Sequence, residues 1–230
     1  MLFVEIKRWL FSLIFSLFIL GLIGGYFALG GSEWKQLFFI NKFIASTGIL
    51  LIGISFSLGP LCHYFNIFDS KLIYRKYLGV LGALYGFLHP LITVLFLSER
   101  FFGKWKLNNW FAFVAAVIAT FLLIMMVLVS NKFAIQKLGH EVWKFILRLG
   151  YLAYFLLLLH IILLKYPRWI MWIKDFPQTI LPSFSLISAI FILLILLLRL
   201  KALFDSEYSE HEVGKKQTPS EVAGQNQTSN

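Results

Sequence analysis

Two histidines set inside long apolar runs are the residues of this chain best placed to do chemistry. His89 lies near the middle of Tyr77 to Ser98 (YLGVLGALYGFLHPLITVLFLS), a stretch with no charged residue before Glu99. That length is about the ~20 residues a helix needs to cross a bilayer. His160 lies in the second half of a similar run, WKFILRLGYLAYFLLLLHIILL. Each is preceded by small residues at the same two offsets, ten and seven positions back: Gly79 and Gly82 before His89, Gly150 and Ala153 before His160. An ionisable side chain at membrane depth is a functional candidate, because burying it in hydrocarbon is costly.

Two neutral imidazoles on different helices at similar depth are what an axially ligated haem requires. Counted from the basic residues that precede the two runs, Lys76 and Lys144, the histidines sit 13 and 16 residues in. At ~1.5 Å of rise per residue, their depths differ by about 5 Å. A zinc ion would usually take three or four ligands, and no carboxylate or thiol lies near this depth. Gly79, Gly82, Gly86 and Thr93 share a broad helix face with His89, at spacings of three and four. Such a glycine groove accepts either a flat macrocycle or a closely packed neighbouring helix. Pro90 has no N–H for the Gly86 carbonyl and predicts a kink beside the imidazole. From the residues alone, ligand and helix packing both stay open.

Composition fixes the class. Apolar residues make up 59% of the chain and charged residues 14%, more apolar surface than a soluble domain of 230 residues can hide. The net charge of +10 comes from lysines and arginines in short links between apolar runs, which is membrane-protein patterning and carries no nucleic-acid role. The single cysteine, Cys62, excludes an intrachain disulfide, an iron–sulfur cluster and a CxxCH haem attachment.

Six spans are expected. The first runs from Trp9 to about Gly30 and reads as uncleaved rather than as a signal peptide. The others cover about Lys42 to Phe65, Tyr77 to Ser98, Trp110 to Ser130, Trp143 to Leu164 and Gln178 to Leu200. A loop holding Tyr166, Trp169 and Trp172 should lie at a membrane–water boundary before the sixth. The chain thus divides into a transmembrane domain, 1–200, and a polar, disordered tail, 201–230. More basic residues fall in inner than outer segments when both termini are cytoplasmic, which sets the expected orientation.

With those residues in view, the chain resembles the ferric-reductase-like transmembrane domain. The matching positions are Thr47, Gly48, Pro60 and Leu61 in the second span, and Arg75, Leu78, Gly79, Tyr85 and His89 in the third. Ser130, Leu138, Gly139, Trp143, Arg148, Leu149, Tyr151 and His160 follow, so the likeness covers roughly residues 40 to 165. Within that family it is similar to the MsrQ (YedZ) type, the haem-binding membrane subunit of a periplasmic methionine sulfoxide reductase system. The resemblance implies an all-α integral membrane protein, a six-helix bundle with b-type haem between its helices, in a bacterial inner membrane. It also implies electron transfer across the membrane to an extracytoplasmic reductase subunit. One position departs from the family, which usually has a further histidine thirteen residues before the one matched by His160. Here that residue is Leu147. An inner haem is then either absent or held by a substitute, for which His63 and His140 are the candidates, while His211 has no assigned role.

The expected cofactor-binding residues are therefore His89, His160, Gly82, Gly86 and Arg148, with His89 and His160 on the haem iron and His63 as a further candidate. Arg148 pairs with a haem propionate or snorkels to the interface. One haem b is expected, a second is open, and no hydrolytic or phosphate-binding constellation is present. The ~30-residue tail is too short for a flavin or nicotinamide domain, so the donor is expected to be a separate flavoprotein or a membrane quinol. The chain then reads as an electron-transfer subunit of an oxidoreductase system rather than a self-contained enzyme. The alternative from another class is a haem-free transporter or assembly factor built on the same scaffold.

Overall fold

The computed structural model describes residues 2–29, 37–97, 107–174 and 181–216; for 2, 107, 108, 132 and 206–216 only the backbone is considered. The described backbone is helical almost throughout. In order come α1 (Leu2–Leu29), α2 (Leu37–Tyr64), a 3-10 helix (Asn66–Tyr74), α3 (Arg75–Phe96), α4 (Leu107–Val129), α5 (Lys132–Leu138), α6 (His140–Lys174) and α7 (Phe184–Lys216). Six of these, all but the 3-10 helix and α5, are long and apolar enough to cross a membrane, which indicates a multi-pass membrane protein.

The elements match the six expected spans and differ at their ends. α6 does not stop near Leu164; it carries Tyr166, Trp169 and Trp172 as helix out to Lys174, where a loop was expected. Between Gly150 and Lys174 only Pro167 opposes helix formation, and the Trp169 indole N–H donates to the Ser185 hydroxyl at 3.0 Å, tying this extension to α7. Its 35 residues span about 52 Å, longer than the ~30 Å hydrocarbon layer, so at least one end stands outside it. α7 likewise runs past Leu200 to Lys216, through Ala, Leu, Lys and Glu residues that favour helix. Gln178 and residues 217–230 lie outside the described residues. The link before α6 contains α5, whose first turn is capped by Asn131, its Oδ1 accepting from the Ala134 N–H at 2.8 Å. Gly139, at φ +78°, ends it and turns the chain into α6.

Packing follows membrane rather than aqueous rules. Large apolar side chains such as Phe18, Val94, Phe121 and Leu194 point outward, while Ser12, Ser16, Asn41, Thr47, Ser55 and Ser188 are buried. Lipid tails are as apolar as leucine, so helices associate through close backbone approach and internal hydrogen bonds. α2 packs most closely on α3 and α4 on α6, with α7 joining α2 to α6 and α1 alongside α2 and α3. A Cβ at Gly48 would lie 2.9 Å from the Gly86 nitrogen and 3.0 Å from the Gly82 carbonyl oxygen. One at Gly82 would lie 2.8 Å from the Ile52 nitrogen. Of the glycine face before His89, the Gly79 and Gly82 end is thus occupied by α2. At α4, Ala112, Ala115 and Ala119 form a buried small-residue stripe that lets α6 approach in the same way.

Candidate functional site

Asn41 enters α2 inside the apolar run LFFINKF and is almost fully buried. A carboxamide in that position must find internal partners, because hydrocarbon offers none. It finds them on α3. Its Oδ1 lies 3.0 Å from His89 Nδ1, and its Nδ2 donates to Thr93 Oγ1 at 2.8 Å. Thr93 Oγ1 in turn donates to the His89 carbonyl at 2.8 Å, within the helix turn that contains Pro90. α3 continues through Pro90 to Phe96. With the amide nitrogen committed to Thr93, Oδ1 faces the imidazole and accepts, so His89 Nδ1 carries the proton. The Asn41 carbonyl, 3.3 Å from the same nitrogen, is a second acceptor.

His160 is held in the same sense by different means. Its Nδ1 lies 2.8 Å from the Ala112 carbonyl oxygen of α4. A carbonyl only accepts, so this nitrogen also carries the proton. In both rings Nε2 is then the unprotonated nitrogen, with no hydrogen-bond partner among the described residues, the form and atom that ligate a metal. Two neutral imidazoles, each tied back through Nδ1 to a fixed oxygen, have the supporting contacts that a metal-ligating pair needs.

Among the described residues α3 and α6 have little or no direct packing, since α4 stands against both. Both histidines are half-buried. A side chain at Gly86 would meet only Leu123 Cδ1 at 3.8 Å, an ordinary contact, so this flank of His89 is open where Gly82 is not. Among the described residues no three of His, Cys, Asp and Glu cluster as a multidentate ion site requires.

The remaining expected residues stand elsewhere. Arg148 is exposed, twelve residues and about 18 Å of rise before His160 on α6. His63 is exposed at the end of α2, beside the Tyr64 ring. His140 is exposed and stacks on Trp143 with centroids 5.8 Å apart. The sequence reading missed Asn41 because the second span was drawn from about Lys42, while α2 begins at Leu37 and carries Asn41 inside it. It could not have found the Ala112 carbonyl, because a backbone acceptor leaves no trace in residue type.

A family model described as ferric reductase like transmembrane component matches residues 44–158. The chain belongs to that family. The matched region runs from the second turn of α2 through most of α6, so it contains His89 and Thr93. It begins three residues after Asn41 and ends two before His160. No curated protein matches the chain. Membership in the ferric reductase like family, together with six membrane-length helices, makes this a membrane electron-transfer component.

Proposed function

We propose that the chain is a membrane cytochrome b that holds one b-type haem between His89 and His160. On this reading it is the MsrQ-type subunit that relays electrons to an extracytoplasmic methionine sulfoxide reductase. The observation that carries the proposal is the matched state of the two rings: each donates Nδ1–H to a fixed oxygen and keeps Nε2 free. When bound, the haem supplies one-electron redox chemistry, while the protein supplies ligands, depth and dielectric. His89 and His160 would hold the haem iron, and a site with both imidazoles engaged would favour outer-sphere electron transfer. Gly86 leaves the space beside His89, and the Ala112–Ala115–Ala119 stripe lets α6 bring His160 close to α4. Half-buried Lys165, five residues after His160 on α6, is better placed to meet a cofactor carboxylate than exposed Arg148, twelve residues before it.

Donor and acceptor remain separate molecules in this proposal: a quinol or flavoprotein on one side, a reductase subunit on the other. The 1–200 unit is the haem-binding domain and 201–230 an appendage to it, with both termini in the cytoplasm of a bacterial inner membrane. The test is direct. Protein purified from membranes is expected to be red, with a dithionite-reduced alpha band typical of haem b and a low-spin spectrum. A colourless protein that takes up no hemin on titration would instead favour the haem-free transporter or assembly factor.

A further inference from the structure

We propose that Asn41 is a positioning residue that sets the electron-donating strength of His89, and hence the reduction potential of the site. This rests on the haem reading above. Three hydrogen bonds close a ring through two helices: His89 Nδ1 to Asn41 Oδ1 at 3.0 Å, Asn41 Nδ2 to Thr93 Oγ1 at 2.8 Å, and Thr93 Oγ1 to the His89 carbonyl at 2.8 Å. Each group fixes the next, so neither the carboxamide nor the imidazole can rotate alone. Buried Asn41 has no water to turn toward.

The two ligands differ in a way that only the structure reveals. His160 donates to a main-chain carbonyl, an acceptor that no side-chain substitution at Ala112 alters. His89 has the Asn41 side-chain oxygen as its nearer acceptor, at 3.0 Å against 3.3 Å for the Asn41 carbonyl, so the strength of that nearer acceptor is a property of residue 41. An N–H shared with a stronger acceptor pushes electron density onto Nε2 and stabilises ferric over ferrous iron. Residue 41 is therefore where this scaffold adjusts its potential, and Thr93 is the group that keeps the Asn41 oxygen facing the ring.

The experiment is a redox titration of purified, haem-loaded full-length protein, with optical and EPR spectra of the oxidised form. Asn41→Ala removes the nearer acceptor, leaving only the main-chain carbonyl at 3.3 Å, and is expected to raise the midpoint potential. Asn41→Asp offers a stronger acceptor and is expected to lower it. Thr93→Val frees the amide to turn and is expected to shift the potential in the alanine direction by less. Loss of haem from the alanine variant with retention by the aspartate variant supports the proposal equally, at the 10- to 100-fold affinity cost typical of such supporting contacts. Unchanged potentials, shifts of the same sign for alanine and aspartate, or equal loss of haem from both would overturn it and leave Asn41 a packing residue. Wild-type protein without bis-histidine haem would instead overturn the reading on which this rests, so the two failures are distinct.

Discussion

The Phe56 ring of α2 packs on the Tyr151 ring of α6 with centroids 4.8 Å apart, and the Tyr151 hydroxyl reaches the Phe56 carbonyl at 3.4 Å. Tyr154 meets Phe56 edge-on at 5.6 Å and donates to the Ile49 carbonyl at 3.0 Å. Met126 and Phe56 close over Gly150. Gly150, Tyr151 and Tyr154 lie about 15, 14 and 9 Å of helix rise before His160, on the Leu147 side of it, and the space there is filled by side chains. Haem is therefore expected at about one per chain, measured by pyridine haemochrome against protein concentration. Leu147→His alone should not raise the ratio, because the aromatic layer remains. A reproducible ratio near two in the wild type would show that another residue replaces the lost histidine.

Removing either free Nε2 should be felt at once. His89→Ala and His160→Ala are each expected to lose haem or to leave a high-spin, five-coordinate species in the optical and EPR spectra. The same change at exposed His140, or at His211, should leave the spectrum alone. Two unaltered low-spin spectra from the first pair would make these histidines packing residues.

The six spans were legible because a 20-residue apolar run has few alternatives to a membrane helix. Their ends were less so. Aromatic and basic residues at a membrane boundary read equally well as a loop or as helix leaving the membrane, and α6 takes the second course through Trp169 and Trp172. His89 and His160 were legible as polar groups in apolar runs. What surrounds them was not, since α4 supplies the Ala112 carbonyl from a helix that carries no candidate side chain at all. The glycine face illustrates a different limit. Spacing identified Gly79, Gly82 and Gly86 as one groove, yet α2 packs along all three, with Gly48 against the Gly86 backbone, and only the Cβ direction of Gly86 stays clear, toward Leu123 of α4.

Orientation rests on the lysine and arginine distribution, and many of those residues lie in the links between spans. With each of the six membrane-length helices crossing once, both termini would fall on one side. That side is expected to be the cytoplasm. A reporter fused after Asn230 that is active only when exported should stay silent, while one in the link at 99–106 should be active. The opposite pattern would invert the inner and outer assignments and move the histidine pair toward the cytoplasmic face.

The α2–α3 contact provides the last test, because Asn41 and His89 meet only if these helices approach as closely as they do. A Cβ at Gly82 would sit 2.8 Å from both the Ile52 nitrogen and its Cγ1, and backbone cannot step aside as a flexible side-chain tip can. Gly82→Leu must push the helices apart, at a cost of about 1–3 kcal/mol by the usual scale of overpacking. The separation also stretches the 3.0 Å contact between His89 and Asn41. Thermal unfolding in detergent should therefore begin at lower temperature, with weaker haem retention. Gly86→Ala is the matched control, since its Cβ meets Leu123 at an ordinary 3.8 Å and should leave stability unchanged. If both variants unfold alike, the close crossing at Gly82 is not what holds His89 in place.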